Sequence, residues 1–405
     1  MSEPTTHPDH VELIDTTLRD GAQSPGVVFT RQQRLAIAGA LADAGIDEIE
    51  AGSPAMGEDE CNAIRDVVRL RLACRVTAWC RAREEDIDSA ATMGVPAVHL
   101  SFPISAILLR ALRKCESWLL DELERLVPIV RRRFEFVSIG VQDAARADRQ
   151  LLLRFARRAA DLGVHRLRLA DSVGVWHPQA VRRVFRCVHR AAPGLQLGAH
   201  MHEDLGMATA NSLSALQSGA SSADVTVLGI GERAGNAPLE QLAIAAGFSG
   251  LRCRVRPERL GGLCRLVATA ARRPIPPNQP IVGQAIFDHE SGIHVQAILR
   301  DPRSYEPFAP ETVGRTGRRL LVGRHSGAAS LHHALVQLGI DTDETTIREL
   351  LPHVRRLAES KRGPLTPTEL RDLFHSLTRE SAEGVSVHSG APQAFAGETW
   401  NGGTY

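Results

Sequence analysis

Eight short apolar runs recur along the first 230 residues, and their spacing restricts the fold more than any other feature of the chain. They are VELIDTT (11–17), DEIEAGS (47–53), ACRVTAW (73–79), AVHLSFP (97–103), FEFVSIGV (134–141), HRLRLAD (165–171), LQLGAHMH (195–202) and ADVTVLGI (223–230). Their starts lie 24 to 37 residues apart, room for one strand, one helix and two loops. Between them run amphipathic stretches such as TRQQRLAIAGALADAG (30–45) and DRQLLLRFARRAADLG (148–163), several ending in a Gly suited to a helix C-cap. Eight such units over about 240 residues predict an α/β fold, a (β/α)8 TIM barrel. The competing arrangement is an open doubly wound sheet. That fold calls for a glycine-rich phosphate turn after the first strand, and TTLRDGAQ is not one.

The pattern changes at RRPIPPNQP (272–280), which cannot be helix interior. Beyond it GQAIFDHESGIHVQAIL, SGAASLHHALVQLG, TIRELLPHVRRLAES and TPTELRDLFHSLTRE read as helical, the last with Thr366 as N-cap and Glu369 completing a capping box. The sequence thus divides into an N-terminal tail (1–10), a barrel (11–270), a Pro-rich linker (271–285), a smaller helical C-terminal region (286–380) and an aperiodic tail (381–405), expected to be flexible.

A net charge of +1 gives no electrostatic case for nucleic acid or an anionic membrane. Seven cysteines without paired short spacings argue against a disulfide framework or a structural zinc site. The polar start MSEPTTHPDH has no apolar signal-like core, and no apolar run reaches membrane-spanning length. These features lead to the expectation of a cytoplasmic protein.

In such a barrel the chemistry comes from strand C-termini and the loops after them. Those positions hold Arg19 and Asp20, Glu50, Ser101, Gln142 and Asp143, Asp171 and Ser172, His200 and His202, and then Glu232, Arg233 and Asn236. In HMH the two imidazoles face one side of a strand, so both can reach one ion. The same spacing also occurs between ordinary hydrogen-bonded histidines. With Asp20 available from another strand, two nitrogens and a carboxylate suit a catalytic divalent cation with open positions, and the absence of nearby cysteines argues against a closed structural site. Arg19 is either the partner of a neighbouring acid at the rim or a cation placed to stabilise an oxyanion. In HESGIH, His289 and His294 are five residues apart and do not share a helix face; a single His reaching over the mouth could act as acid or base, and a solvated or capping His is the plainer alternative.

Taken together, DTTLRDGAQSPGVVF, IEAGSPAMGEDE, TAWCRA, DAARAD, LADSVGV, HMHEDLGMATANSLSALQSGA, GIGERAGNAPLE, FDHESGIHVQAILRDPRSYE and LVGRHSG span residues 15 to about 327. They resemble the TIM-barrel metallolyase family of homocitrate synthase, 2-isopropylmalate synthase and HMG-CoA lyase, most closely the short homocitrate synthases of the nitrogen-fixation type. The resemblance implies Asp20, His200, His202 and Asn236 as metal ligands, and Arg19, Glu50, His294 and Tyr305 as catalytic residues. Arg19, Gln23, Gln142 and Ser172 would contact substrate. It implies a divalent metal ion (Mn²⁺, Zn²⁺, Co²⁺ or Mg²⁺) and acetyl-CoA as co-substrate. The activity implied is condensation of acetyl-CoA with a 2-oxo acid, the C-terminal region forming a lid that crosses between the subunits of a homodimer.

Five positions depart from the usual homocitrate synthase pattern: Ala22, Ala106 and Gly198 where acids are common, Gln142 for a Glu, and Ser172 for a Thr. The expectation is an altered acceptor pocket, with 2-oxoglutarate, oxaloacetate or a phosphono- or phosphinopyruvate as rival acceptors. Drift on a shared scaffold is the alternative, and a lyase running the retro-aldol direction is the rival activity.

Overall fold

The computed structural model describes residues 10–385; the tail expectations for 1–9 and 386–405 lie outside the described residues. Eight parallel strands close into a barrel in chain order: β1 (Glu12–Asp15), β2 (Glu48–Gly52), β3 (Arg75–Arg81), β4 (Ala97–Pro103), β5 (Phe136–Gln142), β6 (Arg166–Asp171), β7 (Gln196–Met201) and β8 (Ala220–Val225). β8 pairs with β1 to complete the closure, from Glu12 opposite Ser222 to Asp15 opposite Val225. Helices connect the strands and start where the local chemistry supplies a cap. Thr30 and Gln33 form a reciprocal capping box, and Asp148 accepts the Leu151 N–H.

The eighth strand is a correction. The run VTVLGI is apolar and β-branched, yet only its first residue, Val225, lies in β8. Residues Val227–Gly229 instead form a tight 3-10 turn with Leu228 at φ 59°, closed by the Thr226 hydroxyl donating to Ile230 O at 2.7 Å. The true strand, ASSADV, is mostly small or polar because half of it faces a crowded, charged barrel interior.

That interior is the other departure from a simple apolar barrel. Glu48 on β2 meets Arg166 on β6 at 2.8 Å, and Glu50 meets Arg168 at 2.9 Å. The two strands are not neighbours, so both pairs span the lumen in successive layers. Arg166 and Glu48 are fully buried. Arg75, Thr77 and Ser138 supply the further hydrogen bonds that such buried charges require. Gly198 on β7 belongs to this packing: a Cβ there would lie 3.0 Å from Ser222 Oγ and 3.4 Å from Arg166 Cδ.

The described chain divides into two compact units, residues 10–286 with 311–315, and residues 287–310 with 316–385. The second unit departs from the helical reading of GQAIFDHESGIHVQAIL. Asp288–His289 (β9) is a short strand paired with Arg319–Leu320 (β10), and a helix begins only at Gly292. Three helices, Ala328–Gln337, Glu344–Lys361 and Pro367–Val385, pack around Leu331, Leu335, Ile347, Leu350 and Val354. The last opens on the expected capping box, with Glu369 N–H donating to Thr366 Oγ1 and Thr366 N–H to Glu369 Oε2.

All seven cysteines are free thiols. No helix among the described residues is long and apolar enough to cross a membrane.

The lumen pairs generate a stability prediction. Arg166→Met strands the Glu48 carboxylate and should cost about 3–5 kcal/mol in urea unfolding, and adding Glu48→Gln should recover part of that loss. Equal stability of wild type and Arg166→Met would show that the pair is not a structural requirement.

Candidate functional site

At the C-terminal end of the barrel, one cavity of about 280 Å³ is lined by Arg19, Asp20, Gln23, Gln142, Ser172, His200 and His202, together with Trp79, His99 and Arg168. These residues, singled out on four separate sequence segments, therefore meet at one mouth. Two short structural devices place the first of them. β1 ends at Asp15, whose carboxylate accepts from Thr17 N–H and Oγ1, and the chain then turns so that Arg19 and Asp20 stand at the rim.

Among the described residues, Asp20, His200 and His202 form the one group of three His, Cys, Asp or Glu with ligand atoms within 4.8 Å of one another, and all three are buried. The histidine tautomers follow from their outer partners. His200 Nδ1–H donates to Asp224 Oδ2 at 2.8 Å, and His202 Nδ1–H donates to Gly235 O at 3.2 Å. Both rings therefore turn an Nε2 lone pair inward, 3.2 Å apart, with Asp20 Oδ2 3.1 Å from His200 Nε2. Two lone pairs and a carboxylate crowded together repel one another unless a proton or a metal cation lies between them. The electrostatics register this. Burial alone would depress the His200 pKa, but Asp20 and Asp224 push it up to about 9. Burial opposes ionisation of Asp20, but Arg19 and His200 hold its carboxyl well below the usual carboxylate range. Burial and the neighbouring His200 bring His202 down to about 4.

Asn236 is buried and its Nδ2 donates to Ile230 O at 3.2 Å, while its Oδ1 has no hydrogen-bond partner. It is bridged to His202 through the backbone. The preceding Gly235, at φ 99°, allows this: a Cβ there would lie 1.9 Å from Gly229 O. Two imidazole nitrogens, a carboxylate and an orphaned amide oxygen are a donor set that fits a divalent cation with positions left for substrate.

Arg19 reaches Glu50 Oε2 with Nε at 2.5 Å and Asp20 Oδ2 with Nη1 at 3.5 Å, and its guanidinium lies 5.3 Å from the Trp79 ring centre. Glu50 does not line the cavity. It is fully buried behind Arg19, which makes it a positioning group for that guanidinium. Ser172 Oγ accepts from Asp143 N–H at 2.8 Å, fixing the loop after β6 against that after β5. His294 and Tyr305 lie in the second unit, both exposed, with ring centres 4.0 Å apart. His289 pairs instead with Glu306 at 3.2 Å.

Of the five altered positions, Gln142 and Ser172 line the cavity. Ala22, Ala106 and Gly198 do not, and Gly198 serves the lumen packing instead. Sequence reasoning missed Arg168, Asp224, Trp79 and His99. The available signal was the alternation in RLRLAD, where two arginines occupy every second position of an otherwise apolar strand.

The HMGL-like family model matches residues 10–267, and the homocitrate synthase post-HMGL domain-like model matches residues 281–362. The homocitrate synthase of Frankia alni is 43% identical over 331 residues, covering 81% of this chain and 94% of that one. The 2-phosphonomethylmalate synthase of Streptomyces rubellomurinus is 40% identical over 367 residues, covering 90% and 97%. The crystal structure of the HMG-CoA lyase from Brucella melitensis superposes with a TM-score of 0.58 at 20% identity, covering 65% of this chain and all of that one. Barrel and site together define a barrel enzyme with a His/Asp cluster that could hold a cation. The chain belongs to the HMGL-like family.

The carboxylate behind His200 generates a prediction. Asp224→Asn should weaken divalent-cation affinity about 10–100-fold by calorimetry. Unchanged affinity would show that the Asp224–His200 hydrogen bond does not orient a ligand.

Proposed function

We propose that the protein is an acyltransferase that condenses acetyl-CoA with a 2-oxo acid, giving a 2-hydroxy polycarboxylate and free CoA. The observation that carries the proposal is the convergence of Asp20, His200 and His202 beside Arg19 in a single cavity. The names of the relatives support the reaction class, because both make a 2-hydroxy acid.

Asp20, His200, His202 and Asn236 would hold the cation, which supplies Lewis-acid polarisation of the acceptor's keto group when bound. Gln23, Gln142 and the Ser172 hydroxyl are available to orient the acceptor's carboxylates. A base removes a proton from the acetyl methyl group, and we assign that role to His294, with the Tyr305 ring tilted against it. The resulting enolate carbon forms a C–C bond to the keto carbon, whose oxygen gains the electron pair. Arg19, held by Glu50 so that it does not reorganise, stabilises the developing alkoxide. The alkoxide is then protonated. Water cleaves the thioester, and CoA leaves as the thiol.

For the acceptor we take 2-oxoglutarate first, as in the homocitrate synthase reading. One observation favours a second, more anionic acceptor such as phosphonopyruvate: Gln142 puts a neutral amide, in place of a carboxylate, in the cavity wall. Fewer carboxylates lower the cost of bringing in a dianionic group.

Thiol release from acetyl-CoA, measured with Mn²⁺ or Zn²⁺ against a panel of 2-oxo acids, tests the reaction. Turnover with at least one acceptor is expected, and mass spectrometry identifies the product. No thiol release with any member would refute the synthase reading, and cleavage of a hydroxyacyl-CoA in its place would establish the lyase. Asp20→Ala should abolish metal-dependent turnover, and Arg19→Ala should lower kcat about 10²–10³-fold. Undiminished turnover in either variant would remove that residue from the mechanism.

A further inference from the structure

A cleft of about 460 Å³ lies between the helix after β5 (Arg149–Asp161) and the helix after β6 (Pro178–Ala191), and it shares no lining residue with the cavity at the mouth. Its floor is apolar: Leu152 and Val188 are buried, and Leu153 and Val184 are half-buried beside them. Its walls are basic. The first helix contributes Arg149 and the second Arg182, Arg183, Arg186 and Arg190, all exposed.

Nothing in the cleft offsets these charges. Among the described residues no carboxylate lines it, and none of these guanidinium groups is in an ion pair. The helix Pro178–Ala191 contains no Asp or Glu. Asp148, next to Arg149 in sequence, caps its own helix by accepting the Leu151 N–H at 2.8 Å. The hydrogen bonds the arginines do make go to a thiol and a backbone carbonyl: Arg149 Nη2 to Cys187 Sγ at 2.8 Å, and Arg190 Nε to Arg186 O at 3.2 Å. Arg182, Arg186 and Arg190 follow one another at the i,i+4 spacing, at which like charges destabilise a helix. A bound anion turns that repulsion into attraction.

The cleft also backs onto the chemistry. Ala144, Ala145 and Ala147 line it, and Gln142, just before them, lines the cavity at the mouth. Between them Asp143 sits in the left-handed region at φ 61°, its N–H donating to Ser172 Oγ and its carboxylate paired with Arg146, each at 2.8 Å. One tight turn therefore belongs to both walls.

We propose that this cleft is an effector site for a small organic polyphosphate such as a nucleoside triphosphate, and that its occupant acts on the acceptor pocket through the shared turn. The chemistry of the cleft selects that class. Guanidinium groups grip phosphate oxygens through paired, charge-assisted hydrogen bonds, and the apolar floor takes the uncharged body of the ligand. A cavity of this size admits a small molecule. A nucleic acid strand calls for a longer basic groove with aromatic platforms, and among the described residues no aromatic side chain lines the cleft. The kinetic part of the inference rests on the acceptor being a 2-oxo acid, as proposed above; the binding part does not.

Calorimetric titration with ATP tests the site, with saturating CoA present so that the acyl-donor position is filled. ATP should bind, and its affinity should fall about tenfold or more in Arg183→Glu/Arg186→Glu. Inorganic triphosphate and adenosine should each bind more weakly than ATP, because each lacks part of the match. No binding of ATP, equal affinity in wild type and double variant, or a single-stranded oligonucleotide bound in preference to ATP would overturn the assignment. At a fixed concentration of free divalent cation, ATP should change KM for the 2-oxo acid about fivefold or more in the wild type. It should leave KM unchanged in the double variant, whose turnover without ATP matches that of the wild type. A KM that ATP alters equally in both proteins, or in neither, would refute the effector role. The titration needs no turnover, so it reads the cleft even if no acceptor reacts, while thiol release without ATP reads the reaction alone.

Discussion

The Glu50 carboxylate, fully buried at the upper end of the barrel lumen, holds the site together. One oxygen takes Arg19 Nε and the other takes Arg168 Nη1; Arg168 Nη1 also reaches Asp224 Oδ2 at 2.9 Å. Asp224 orients His200, whose inner nitrogen meets Asp20, and Asp20 returns to Arg19. Six side chains from β1, β2, β6, β7 and β8 or the loops beside them thus form a closed ring of charges. Each position in the ring is fixed by two neighbours, so the proposed cation ligands and the guanidinium proposed to stabilise the alkoxide are parts of one rigid object. Preorganisation of this kind lets fixed charges act on a developing alkoxide without reorganisation at the moment of reaction.

The ring also explains why the cluster asks for a cation. Two guanidinium ions face three carboxylates, which leaves one net negative charge beside two inward lone pairs. A buried arrangement of that sign is costly in isolation. The upward pull on the His200 pKa is the proton's response to the same field. Below the ring, Glu48 and Arg166 repeat the across-lumen pairing one layer down, so the lumen has a polar axis that ends at the site. Gly198 provides room for that layer, which accounts for a missing acid that the sequence suggests belongs to substrate recognition.

Much of this was legible in the sequence because period and position carry it. Eight apolar runs announced eight strands, and polar residues at their ends announced the mouth: Arg19, Asp20, Gln142, Ser172, His200 and His202 all line it. What was not legible depends on the third dimension. Charged residues within a strand ordinarily read as solvent-facing, so Arg166 and Arg168 gave no sign of the lumen until closure put them opposite Glu48 and Glu50. β8 was displaced in the reading because its small, polar residues pack against those charges, whereas the apolar VLG after it makes a turn. The roles of Ala22, Ala106 and Gly198 could not be separated from those of Gln142 and Ser172 by position in a motif, since only geometry decides which side chain meets the cavity. β9 and β10 escaped notice because a two-residue strand has no period.

The account stands on one divalent cation bound between Asp20, His200 and His202. Diffraction from metal-loaded crystals, recorded at the absorption edge of zinc, tests this directly. The account predicts a single anomalous peak about 2.0–2.2 Å from the Asp20 carboxylate and from both inward-facing imidazole nitrogens. A peak elsewhere in the protein, with none between these three side chains, would contradict it.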